Sequence, residues 1–107
     1  MTVAEFRRIA LGFPETDEQS HMGHPDFRVG GKIFATLGYP DPDHGMVILP
    51  PDQQSEFIRG NPDVFAPAKG AWGKSGSTIV RLAAADDQTV KRAIEIAWRK
   101  RAPARLL

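Results

Sequence analysis

Cysteine is absent from this chain. Disulfides, thiolate nucleophiles and cysteine-ligated zinc are excluded with it. Long hydrophobic runs are also missing, so no segment reads as a membrane span. Neither sign of charge dominates: 14 Lys and Arg face 13 Asp and Glu, for a net charge of +1. Aromatic residues are few, with one tyrosine and two tryptophans beside six phenylalanines. Gly73-Lys74-Ser75 superficially suggests a phosphate loop. The full motif needs a glycine where Ala68 stands and a helix after the serine, whereas the residues after Ser75 read as a strand. Neither Ser75 nor Ser77 sits in a nucleophile elbow. Asp26 beside His24 is the one local acid–base pair, and such pairs next to a turn are commonly structural. An enzyme is therefore the least supported class, and no cofactor is expected. His21 and His24 are three residues apart, a spacing that joins side chains on a helix; Pro25 argues against a helix there, so no metal site is expected.

What remains is an ordinary globular composition, 41% hydrophobic and 25% charged over 107 residues, enough for one domain (1–107) with one core. The opening Met1-Thr2-Val3-Ala4-Glu5-Phe6 lacks the apolar stretch of a secretory leader. A soluble, cytoplasmic, monomeric protein is expected. Charge is unevenly distributed. Between Lys69 and Leu107, nine basic residues face three acidic ones, a net +6 that leaves −5 for residues 1–68. Such asymmetry points to a polyanionic partner unless folding intermixes the halves.

The most informative stretch runs from His24 to Leu37. Two extended runs, Asp26–Val29 and Lys32–Leu37, flank Gly30-Gly31, and glycine supplies the positive φ of a two-residue hairpin turn. This register sets Val29 opposite Lys32 and Phe27 opposite Phe34, with Arg28 on the other face beside Ile33 and Ala35. Before the hairpin, Thr2 and Glu5 form a capping box for a helix with the apolar stripe Val3, Phe6, Ile9 and Ala10, stopped by Gly12 and Pro14. The polar residues 15–23 fit either a loop or an edge strand. Met46–Leu49 reads as a buried strand and Pro50-Pro51 as the opening of a short helix that ends at Gly60. Pro67–Gly76 reads as a flexible glycine-rich loop, and Ser77–Ala83 as a strand. Asp86 or Asp87 caps a last helix with Val90, Ile94, Ala97 and Trp98 on its buried stripe; Pro103 prevents its continuation. The order predicts an α+β domain, an antiparallel sheet with helices on one side.

These residues resemble the MmcQ/YjbR family of small bacterial proteins. The resemblance covers nearly the whole chain: Phe13-Pro14-Glu15, His24 to Val29, Gly31 to Ala35, Leu49-Pro50-Pro51, Pro62 to Phe65, Trp72-Gly73, Ala97-Trp98 and Ala102-Pro103. It implies a fold similar to secretion-chaperone-like domains and a DNA-binding role through paired β wings.

Three basic clusters are candidates for phosphate contact: Arg28 and Lys32 at the hairpin, Lys69 and Lys74 with Trp72 in the loop, and Arg99, Lys100 and Arg101 with Arg105 at the end of the chain. Trp72 is a candidate for stacking on a base. Each cluster has a structural alternative: a carboxylate partner for Arg28, core cover by Trp72, and a helix-dipole role for the terminal basic residues. The expected partner is double-stranded DNA, bound weakly and without sequence preference. The competing expectation is a non-enzymatic protein-interaction module using an apolar sheet face.

Overall fold

The N-terminal helix forms where the capping box places it. In the computed structural model, which describes all residues Met1–Leu107, Thr2 and Glu5 satisfy each other's backbone amides at the start of α1 (Val3–Leu11). Six strands follow: β1 (Thr16–His21), β2 (His24–Val29), β3 (Lys32–Leu37), β4 (His44–Ile48), β5 (Phe65–Pro67) and β6 (Ser77–Arg81). Helix α2 (Pro51–Gly60) lies between β4 and β5, and the five-residue α3 (Gly70–Lys74) between β5 and β6. The long α4 (Asp87–Arg101) follows β6, capped by Asp86, whose side chain accepts from the Thr89 amide at 2.7 Å. The strands form one sheet in the order β1-β2-β3-β4-β6-β5, and every pairing is antiparallel. The fold is α+β. No helix is long and apolar enough to cross a membrane.

Alternation along the strands divides the sheet into two unlike faces. Phe27 and Val29 on β2, Ala35 and Leu37 on β3, Val47 on β4 and Val80 on β6 are buried and share one core with Phe6 of α1 and with Val90, Ile94 and Ala97 of α4. The opposite face presents Arg28, Ile33, Thr36, Met46, Ile48 and Ser77.

The structure corrects three sequence expectations and settles a fourth that stood open. Phe27 pairs with Ala35 rather than Phe34, while Arg28 pairs with Ile33, because a β-bulge interrupts the β2–β3 ladder. The extra residue lets Phe34 and Ala35 both enter the core, which strict alternation forbids. Ala35 therefore does not share a face with Arg28. Residues Thr16–His21 form an edge strand, paired with β2 along its whole length. The loop expected over 67–76 contains the end of β5 and all of α3. The strand expected to reach Ala83 stops at Arg81, and Leu82–Ala84 form one 3-10 turn.

Candidate functional site

Register decides which distant residues meet on the uncovered face. Antiparallel pairing places the Gly30–Gly31 turn, the start of β3, the end of β4 and the start of β6 at one end of the sheet. Helix α3 leads directly into β6 at that end. There α4 also terminates, and a Cβ on Gly30 would lie 3.3 Å from the Pro103 ring. Lys32 of β3, Lys69 and Trp72 of the α3 segment, and Arg101 of α4 thus come from three separate stretches to line one groove of about 840 Å³. Ile33, Met46 and Ile48 provide its apolar floor, with Thr36 and Ser77 as polar neighbours. His21, His24 and Tyr39 lie toward the other end.

Helix α3 is held from below. Two glycines in five residues give it little intrinsic helicity. The buried Gln54 of α2 donates through Nε2 to the Gly73 carbonyl at 3.0 Å and the Ser77 carbonyl at 3.2 Å, clamping α3 to β6. A Cβ on Gly73 would come within 1.8 Å of the Ala68 carbonyl oxygen, so only glycine permits this packing. The clamp leaves Trp72 on the outer side, 76% exposed. Trp72 therefore does not cover the core; that task falls to Trp98, 5% exposed, which stacks on Phe13 and donates from Nε1 to the Pro14 carbonyl at 3.1 Å.

Asp26 is the carboxylate buried in this face, with no solvent exposure; Asp17 of the edge strand, opposite Arg28, shares the face but lies exposed outside the groove lining. Arg28 donates to it twice, Nε to Oδ1 at 2.8 Å and Nη2 to Oδ2 at 3.0 Å, and His21 Nδ1 lies 2.8 Å from Oδ2. The Arg28 bonds hold the Asp26 carboxyl below its ordinary 3.8; His21 acts in the same direction and burial opposes both. Asp26 in turn raises the Arg28 guanidinium above its usual value. The relevant carboxylate–imidazole contact is thus Asp26–His21, not the Asp26–His24 pair suggested by adjacency. His21 and His24 face each other across the Met22–Gly23 turn with ring centroids 6.2 Å apart, a proximity produced by hairpin register. No three His, Asp or Glu side chains converge as a metal site.

Of the eight sequence candidates, Arg28, Lys32, Lys69, Trp72 and Arg101 line the groove, whereas Lys74, Arg99 and Lys100 do not. Arg99 pairs with Glu95 at 3.3 Å, and Lys100 Nζ donates to the Leu49 carbonyl at 3.4 Å. Burial, with repulsion from Arg101, lowers the Lys100 amine from its ordinary 10.5. Arg105 is occupied by a two-point pair with Glu15, both contacts at 2.7 Å. Lys32, Lys69 and Arg101 form no ion pair, and Arg101 Nε is enclosed without a hydrogen-bond acceptor. Four cationic side chains thus line a groove with no acidic lining residue. A second, smaller depression of about 540 Å³ between α2 and α4 sets Glu56 and Glu95 against Arg92, so its lining is net acidic and suits no polyanion. Sequence reasoning missed Gln54 and the floor residues, which depend on pairings between distant segments, and the role of His21, which depends on residues 16–21 forming a strand paired with β2.

Comparison with known proteins agrees with this architecture. The crystal structure of Deinococcus radiodurans protein DR2400, a DUF419 domain, superposes with a TM-score of 0.75 at 17% identity, covering 91% of this chain and 75% of that one. At that identity the likeness concerns the fold. No curated protein sequence matches. The YjbR family model matches residues 11–100, which include every strand and nearly all of α4. The chain belongs to the YjbR family.

Proposed function

We propose that the protein binds DNA weakly and without sequence preference, through the groove on the uncovered face of its sheet. One observation carries the reading: Lys32, Lys69 and Arg101 converge with Arg28 on a concave surface whose lining contains no acid. A phosphate backbone is the polyanion that rewards such a surface, since each neutralised phosphate releases condensed counterions. Backbone contacts of this kind fix position without reading sequence. Arg28, already bonded to Asp26, contributes less net charge than the other three. We place this function in the cytoplasm of a bacterium, a compartment that holds DNA.

The test is affinity for a labelled duplex and a labelled single strand, titrated across salt. Micromolar-order binding that falls steeply with salt is expected. Lys32→Ala and Lys69→Ala should each flatten the logarithmic salt slope on duplex by about 0.9 for every phosphate left unneutralised. Lys74→Ala, outside the groove, should leave the slope unchanged. Wild-type slopes in the Lys32 and Lys69 variants would exclude the groove as the contact surface. No binding to either DNA at low salt would overturn the function and favour an interaction module for polypeptides.

A further inference from the structure

Phosphate contact accounts for the rim of the groove but not for its floor. A duplex turns its phosphates outward and keeps its base faces stacked, so it offers a concave apolar surface nothing to cover. Here the floor is Ile33, Met46 and Ile48, half-buried rather than closed over by a helix, and the exposed Trp72 stands beside it. An exposed indole with no partner of its own, next to cations and above an apolar floor, fits a planar heteroaromatic ring joined to an anion. The volume of about 840 Å³ lies within the roughly 300–1,000 Å³ typical of sites that enclose a small organic group.

Resting on the DNA-binding reading above, we infer that the occupant of the groove is single-stranded DNA: an unpaired base lies against Trp72 and the Met46–Ile48 floor, and its flanking phosphates meet Lys32, Lys69 and Arg101. The floor and the cations divide the work. Stacking is indifferent to base identity because every base has a π-face, and the cations hold the backbone. The buried Asp26 does not repel the strand, because Arg28 and His21 occupy its oxygens.

The two tryptophans make the test direct. Trp98 is buried beneath Phe13 and reports little from the groove, whereas Trp72 is open to solvent. The full chain is titrated by intrinsic fluorescence with an oligothymidylate of about ten nucleotides, within the usual site-size range. A duplex of equal length and thymidine monophosphate serve as the comparison ligands. The single strand should quench emission and bind at least about tenfold more tightly than the duplex. Trp72→Ala should weaken single-strand binding roughly 5- to 150-fold without changing its salt slope, because stacking releases no counterions. Trp72→Phe should recover part of the affinity. Lys69→Ala should instead flatten the single-strand slope by about 0.7. Equal or tighter duplex binding, or an unaltered Trp72→Ala variant, overturns the single-strand assignment while leaving DNA binding intact. Monophosphate binding as tight as the oligonucleotide shows that the site takes a free nucleotide instead. Failure of both DNAs at low salt removes the DNA-binding reading itself.

Discussion

Both faces of the sheet carry apolar side chains, and they use them differently. On the helix-covered face, Phe27, Val29, Val47 and Val80 are sealed under α1 and α4. On the other face, Ile33, Met46 and Ile48 remain half-buried, ringed by cations instead of helices. The tryptophans repeat the contrast. Trp98 has a stacking partner and a carbonyl acceptor, whereas Trp72 has neither and is 76% exposed. One face is built for stability, and the other keeps unpartnered groups together at some cost in stability. Exposed apolar surface framed by like charges marks an interaction site.

That division predicts which substitutions affect folding and which affect binding. Phe27→Ala on the covered face should have the largest effect, a stability decrease of about 3–5 kcal/mol by urea unfolding, because it empties a fully buried site. Asp26→Asn should cost about 3 kcal/mol. It leaves Arg28 and His21 without their anion, and the partial exposure of Arg28 places the loss at the low end of the range for broken buried pairs. This cost depends on pH. The folded carboxyl of Asp26 titrates below its ordinary 3.8, so its contribution is complete above that value and disappears as pH falls through the lowered one. The difference between wild type and Asp26→Asn should therefore shrink on acidification below 3.8. Glu5, Glu15, Asp41 and Asp86 are lowered by their own hydrogen bonds and shift in the same direction, but they are common to both proteins and cancel in the difference.

Gln54→Ala sharpens the comparison because its residue lies beneath one face and serves the other. Removing the donor that two buried carbonyls share should cost about 2 kcal/mol and speed amide exchange in α3. DNA affinity should fall as well, although Gln54 does not line the groove. Trp72→Ala should change stability least, within about 0.5 kcal/mol, while weakening binding.

Local signals made part of this legible in the sequence. The Thr2–Glu5 capping box, the Gly30–Gly31 turn, the Asp86 cap and the buried stripe of α4 each lie within a few residues, and each formed as read. The hairpin register slipped because the bulge answers a tertiary demand, the burial of both Phe34 and Ala35, that no alternation rule contains. β5 is three residues long and ends in proline, and α3 has no propensity of its own; both exist through pairing with β6 and the Gln54 clamp. For the site, residue type identified Arg28, Lys32, Lys69, Trp72 and Arg101, but only topology separated them from Lys74, Arg99 and Lys100. Arg99 to Arg101 are consecutive on one helix, and the turn of that helix sends only Arg101 into the groove.

The most direct measurement combines both faces in one protein, the triple variant Lys32→Ala/Lys69→Ala/Arg101→Ala, followed by urea unfolding and by salt-titrated duplex affinity. The expected result is an unfolding midpoint close to wild type together with DNA binding reduced to the detection limit or, where measurable, a salt slope flatter by about 2.7 for three phosphates left unneutralised. Wild-type affinity and slope in a folded triple variant would contradict the assignment of the uncovered face as the DNA-binding surface.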